Sequence, residues 1–190
     1  MNLKNILNKL EFRHISELNK LELDKILAIR NEKNIRKNMV TKHIITKEEH
    51  IKWIESIKNS KKNFFYAVFY ADEIIGGIGL YDANNINKIS NWALYTTSSI
   101  KINGLGAALE FKALKFLFEK FELKNLICLI FNHNSEVIKL HKKFGFSETL
   151  CDKNIMPMIK NITKKDITYL GLSNFLWVIK EKEMLEKYFI

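Results

Sequence analysis

Between residues 96 and 109 the chain carries no carboxylate and one lysine. Two of its seven glycines, Gly104 and Gly106, fall there, where a strand gives way to a long apolar helix. The first amides of a helix have no partner within it, and the aligned peptide dipoles favour negative charge at that end. Glycine removes the Cβ atoms that would hold a phosphate away from those N–H groups. The backbone of Ile102, Asn103, Gly104, Leu105, Gly106 and Ala107 therefore reads as an anion cradle. Lys101 adds a point charge, and the first acid, Glu110, lies beyond the first turn. The Gly-Lys-Ser/Thr ending of a P-loop is absent, as are the third glycine and downstream acid of a dinucleotide fingerprint.

The 190 residues fit one domain, and 47% hydrophobic residues supply a core, which excludes a wholly disordered chain. Thirty-one Lys and Arg against 21 Asp and Glu leave a formal charge of +10. A surface that basic suits phosphate-bearing partners without choosing among them. The two cysteines, Cys128 and Cys151, make neither a disulfide framework nor a structural zinc site, and no metal is expected. The first twenty residues lack the apolar stretch of a signal peptide, and the longest apolar runs are strand-length. The expectation is a cytoplasmic protein that does not bind membranes. No recognition-helix or aromatic RNA-binding signature points to nucleic acid.

Periodicity predicts an edge strand over 10–15, helix over 16–30, a helical turn over 34–39, and a helix over 47–59 opened by the capping box Thr46…Glu49. Strands follow over 63–70, 74–81 and 89–96, the first two joined by a hairpin turn at Ala71-Asp72-Glu73. Then come a helix over 105–121, a strand over 125–131, a helix over 134–144 ended by Gly145, and strands over 146–151 and 174–180. This is an α/β chain with a mixed central sheet flanked by helices. The core is placed at about 10–152 plus the last strand. Residues 153–173 are read as an insertion and 181–190 as a helical tail; either covers the site or packs against a second copy in a homodimer.

A second motif lies about thirty residues after the cradle. Asn134-Ser-Glu-Val-Ile-Lys-Leu-His141-Lys-Lys-Phe-Gly-Phe146 starts with Asn at a strand end and runs through an amphipathic helix into Phe-Gly-Phe. Taken with Lys101-x-x-Gly-x-Gly106, it resembles the GNAT N-acetyltransferases. The resemblance implies the GNAT fold and acetyl-coenzyme A as cosubstrate. Its diphosphate would lie on residues 101–107 and its pantetheine arm against Asn134. A strand-edge N–H near Leu94 or Tyr95 would receive the oxyanion.

Within that superfamily, Arg30-Asn31-x-x-x-Ile35-Arg36-x-x-Met39, followed by Glu49-His50-x-x-Trp53, is similar to the sugar-nucleotide acetyltransferases of pseudaminic acid biosynthesis. Those enzymes acetylate the amino group of a UDP-linked 4-amino-4,6-dideoxy sugar. The implied acceptor residues are Arg30, Met39, His50, Trp53 and Tyr81, with Arg36 a further phosphate contact and His50 a general base or phosphate ligand. The resemblance commonly places Tyr where His141 stands, as donor to the leaving thiolate; His141 can fill that role, and Tyr95 is an alternative donor. It often places Glu where Leu129 stands. The alternatives keep the fold and change the acceptor to a protein N-terminus or small amine, or keep only weak acetyl-coenzyme A binding. The 30–53 segment holds seven Lys and Arg against three Glu, which favours a phosphorylated acceptor.

Overall fold

The computed structural model describes residues 3–83, 86–149 and 166–189. The elements run α1 (Leu3–Lys9), β1 (Leu10–His14), a 3-10 turn, α2 (Lys20–Arg30), α3 (Lys33–Arg36), α4 (Lys47–Lys58), β2 (Phe64–Tyr70), β3 (Glu73–Tyr81), β4 (Ile89–Thr96) and α5 (Leu105–Phe121). They continue with β5 (Asn125–Phe131), α6 (Ser135–Lys143), β6 (Ser147–Glu148), β7 (Ile167–Ser173), α7 (Asn174–Met184) and a π turn, Leu185–Phe189.

Local chemistry sets several of these boundaries. Thr46 accepts from the Glu49 amide while the Glu49 side chain accepts from the Thr46 amide, the reciprocal cap expected for α4. Asn19 and Glu22 do the same for α2. Ala71 and Asp72 both adopt positive φ, +48° and +67°, which turns β2 into β3. Lys112 donates to the Leu7 and Leu10 carbonyls and so ties α1 to the middle of α5.

Seven strands of the described residues form one sheet in the order β1-β2-β3-β4-β5-β7-β6. Every pair is antiparallel except β4 with β5. Strand alternation divides the core. Tyr66 and Val68 face the α1, α5 and α7 side, while Phe65, Ala67 and Phe69 face α2 and α4. Both faces of the sheet are therefore covered.

The structure corrects the C-terminal reading. The strand expected at 174–180 is the helix α7, and the last long strand, β7, lies inside the stretch read as an insertion. Asn-Phe-Leu-Trp-Val-Ile is apolar enough to read as either element. Ser173 decides it by accepting from the Leu176 amide as an N-cap. Trp177 is then buried against Phe111 and Phe118 while Phe175 and Val178 face outward. The helix α1 lies where no element was expected. The strand expected over 146–151 is described at Ser147–Glu148; Cys151 and most of 153–173 lie outside the described residues.

The helical assignment has a thermodynamic signature. Trp177→Ala is expected to cost about 3–5 kcal/mol in chemical denaturation. Phe175→Ser, on the exposed side, should stay within about 0.5 kcal/mol; an extended segment with strict alternation would make the two residues equivalent.

Candidate active site

Strands β4 and β5 are bonded only at their starts, Ile89 to Asn125, Ser90 to Leu126 and Asn91 to Ile127. Beyond that point β4 stays paired with β3 as far as Thr96, and β5 stays paired with β7 as far as Phe131. The two strands part, and a cavity of about 300 Å³ fills the wedge between them. Consecutive amides of a strand point to opposite edges. One of the adjacent N–H groups of Leu94 and Tyr95 therefore points into the wedge, and both residues line it.

The cradle meets the open end of this wedge. Gly104 is the N-cap of α5 with φ +87°, a left-handed conformation that glycine adopts without penalty. A Cβ there would also approach Leu3 Cδ2 to 2.9 Å, so Gly104 is required by the turn itself. Leu105 donates its amide to Ile102 inside the loop. Gly106 and Ala107 thus hold the first amides that α5 does not bond. Gly106 lines the cavity, and a Cβ on it would meet nothing closer than Leu140 Cδ2 at 3.7 Å, so its bareness leaves the backbone open to a ligand. Lys101 and Asn103 are exposed beside it. Asn134 lines the opposite wall, and its side chain does not cap the helix it precedes.

His141 and Glu110 close the floor. His141 is 5% exposed and Glu110 is fully buried, with Nδ1 of the first 2.9 Å from Oε1 of the second. The His141 ring stacks on Trp92 and Phe146, with centroids 5.4 and 4.9 Å away. The Phe-Gly-Phe motif explains this placement. Gly145 takes φ +94°, and the chain turns so that the Phe146 amide donates to the His141 carbonyl. Burial raises the Glu110 pKa, and His141 pulls it back. Sequence reading passed over Glu110 except as the first acid after the cradle; its position one and a half turns into α5 places it under the wedge, a relation visible only once α6 is packed alongside.

The acceptor-side residues divide. Met39 lines the wedge together with Asn34 and Asn38. Arg30 and Arg36 do not; their guanidinium groups hold the loop that carries Met39. Arg30 donates to the Thr41 carbonyl at 3.1 Å, and Arg36 donates to the carbonyls of Asn31 and Lys42. Asn31 closes the loop by a two-way bond with Ile45. Glu32 then fastens it to the end of β4 through the Thr97 hydroxyl, 2.5 Å, and the Ser98 amide, 3.2 Å.

His50 and Trp53, expected at the acceptor, lie behind the wedge. His50 donates from Nε2 to the Leu23 carbonyl at 3.0 Å and stacks on Trp53, which meets Phe65 edge-on; Phe65 in turn packs near Tyr95. They support the wall rather than face the cavity, because α4 turns these residues inward to bury against the sheet. Tyr81 and Tyr95 lie close enough to Arg30 to feel its charge, yet burial dominates and holds both phenols above their ordinary range. Of the two, only Tyr95 lines the wedge. Leu129 lines it as well, so the second wall offers no acid at that position. Among the described residues, no group of three or more His, Cys, Asp and Glu is clustered as for a metal ion, and no helix is long and apolar enough to cross a membrane.

A wedge between two parting parallel strands, with a glycine-led helix start at its mouth, matches a known arrangement. The model of the acetyltransferase (GNAT) domain matches residues 9–147. The chain belongs to the GNAT acetyltransferase family. Acetyltransferases of this family draw the acetyl group from acetyl-coenzyme A. Acetyltransferase PseH of Campylobacter jejuni (serotype O:23/36, strain 81-176) is 28% identical over 138 residues, spanning 73% of this chain and 85% of that protein. The crystal structure of C. jejuni PseH in complex with acetyl coenzyme A superposes with a TM-score of 0.63 at 24% identity, covering 87% of this chain and 99% of that one. A spermidine N-acetyltransferase from Vibrio cholerae, in complex with CoA and spermine, reaches a TM-score of 0.74 at 15% identity over 90% of this chain and 99% of that one. At such identities the structural likenesses speak for the GNAT fold alone.

Two measurements check these placements. Gly106→Val should leave the melting temperature within a few degrees, since glycine is the poorer helix former, while weakening acetyl-coenzyme A binding about tenfold or more by calorimetry. For His50, burial is the larger influence and lowers its pKa below the ordinary value of about 6.5. The neutral ring is thus the form the fold favours, so its stabilising contribution is present above that pH and is lost as pH falls through the depressed folded value. Thermal melts between pH 7 and 5 should show wild type losing more stability than His50→Gln, which keeps a donor for Leu23.

Proposed function

We propose that this acetyltransferase moves the acetyl group of acetyl-coenzyme A to the amino group of a nucleotide-linked amino sugar of the UDP-4-amino-4,6-dideoxy type. The observation that carries this is the loop from Arg30 to Ile45. Its motif residues Arg30, Asn31 and Arg36 each donate to a backbone carbonyl of the loop, Arg30 with one Nη while the other has no partner among the described residues, and thereby hold Met39, Asn34 and Asn38 at the wedge. A motif that builds the acceptor wall bears on acceptor choice, and it is the part of the chain that looks most like the sugar-nucleotide enzymes. The sequence relation to PseH supports the same reading. The basic character of the 30–53 segment favours a phosphorylated acceptor over a polycation.

In this reading the diphosphate of the cosubstrate rests on the amides of Gly106 and Ala107, with Lys101 beside them and Asn134 reaching the arm. The neutral amine attacks the thioester carbon. The oxygen that becomes negative accepts from the inward N–H of Leu94 or Tyr95. As the carbon–sulfur bond breaks, His141 gives its Nε2 proton to the sulfur, since Nδ1 faces Glu110. The proton shed by the new amide nitrogen passes to solvent, because the wall residue Leu129 offers no base. Residues 153–190 carry no assigned part, and a homodimer remains part of the proposal.

A thiol-release assay tests the acceptor. UDP- and dTDP-linked 4-amino sugars should be turned over with higher kcat/KM than spermidine or a peptide N-terminus; the reverse order would overturn the sugar assignment. His141→Ala should lower kcat by about a hundredfold, within the span of general acid catalysis, with KM for acetyl-coenzyme A little changed. Unchanged turnover would remove His141 from the chemistry.

A further inference from the structure

A carboxylate with no exposed surface is costly to bury, and a single partner seldom offsets that cost. Glu110 is such a group. Both its oxygens are buried, as is Nδ1 of His141, and none of these atoms has an aligned hydrogen-bond partner among the described residues. The only ion pair Glu110 makes among them is the approach of its Oε1 to that Nδ1, 2.9 Å, a hydrogen-bond distance that a turn of the ring would convert into a bond. An apolar side chain at that position of α5 would avoid the cost of desolvating a carboxylate. The acid instead stands at the floor of the wedge, against the one histidine that lines it.

From this geometry we infer that Glu110 is a positioning residue for His141. It accepts the Nδ1 proton, fixes the ring so that Nε2 is the nitrogen turned to the leaving sulfur, and stabilises the charged ring before it gives up that proton. The inference rests on the reading of His141 as proton donor given above. The balance closes within the dyad. The Nε2–H bond breaks, the proton joins the thiolate as the carbon–sulfur bond is lost, and the ring is left neutral with its Nδ1 proton still on the Glu110 side. A proton returns to Nε2 from solvent, which has received one from the attacking amine.

The surroundings suit a pair that shares charge. Trp92 from β4 and Phe146 after α6 flank the ring and do not titrate. Cys128 from β5 faces Glu110, and burial first, then the charge of Glu110, push its thiol up so that it stays protonated. On α6 itself, Lys142 is turned outward to Glu148 and Lys139 to Glu136. The nearest countercharge to the carboxylate is therefore the imidazole ring.

Two readouts test the assignment. In full-length protein carrying nitrogen-15 histidine, the His141 signals, identified by their loss in His141→Asn, should show the neutral ring with its proton on Nδ1. A neutral ring protonated on Nε2 would overturn the proposal. This measurement needs no acceptor, so it stands or falls apart from the amino-sugar assignment. The second readout is kinetic, with whichever amine is turned over. Glu110→Gln keeps the shape and removes the charge. It should lower kcat by at least about tenfold, leave KM for acetyl-coenzyme A within about threefold, and move the alkaline limb of the kcat profile to lower pH. A folded Glu110→Gln enzyme with unchanged kcat and an unmoved limb would show the pair to be packing alone. Should that variant fail to fold, the nitrogen spectrum of the wild type decides.

Discussion

The parting of β4 from β5 is the constraint on which the remainder depends. Three residue pairs join the strands, and then each keeps its other neighbour, β3 on one side and β7 on the other. Backbone donors and acceptors buried away from water need partners. A sheet that opens in its middle leaves such groups in the gap, and a bound molecule can supply what the missing ladder does not. The helix start at Gly104 adds unbonded amides at the mouth of the same gap. One discontinuity in the ladder thus creates the cavity, aims one N–H of Leu94 or Tyr95 into it, and sets the cradle beside it.

Around that opening, polar groups are used to hold shape. Asn31 and Arg36 hold the backbone of their loop, Arg30 donates from one Nη to the Thr41 carbonyl, and Glu32 joins the loop to the end of β4. The loop that carries Met39 and the end of β4 are thereby one connected body. Behind them, His50, Trp53, Phe65 and Tyr95 form a chain of packed rings from α4 to the cavity lining. Gly77 allows it: a Cβ at that position would fall 2.2 Å from the Phe65 ring. The other two glycines of β3 answer to different neighbours: a Cβ on Gly76 would fall 2.0 Å from the Tyr95 carbonyl oxygen, and one on Gly79 would fall 2.5 Å from the Tyr81 hydroxyl.

The segment most open to misreading was the end of the chain. Residues 174–179 satisfy the apolar content of a strand and the spacing of a helix at once, and a serine hydroxyl resolves them. Burial at Trp177 then depends on Phe111 and Phe118 of α5, which are more than fifty residues away in sequence. Histidines posed the same difficulty. His50 and His141 each lie on an amphipathic helix, and local pattern does not say which of the two helices turns its histidine to the wedge.

What the sequence by itself determined were the features set by near neighbours: the capping box at Thr46, the turn at Ala71-Asp72, the left-handed start of α5 at Gly104 and the end of α6 at Gly145. Each depends on one residue's conformational range or on a bond spanning three residues, so each is written locally. With the two motifs, these were enough for the family and for the cradle. Only the tertiary structure decided that Glu110 meets His141, that Arg36 and one Nη of Arg30 bind carbonyls of the loop that follows them, and that His50 faces the core. Those relations arise where elements far apart in the chain are pressed together to bury apolar surface, and side-chain distance across such a contact has no counterpart in residue spacing.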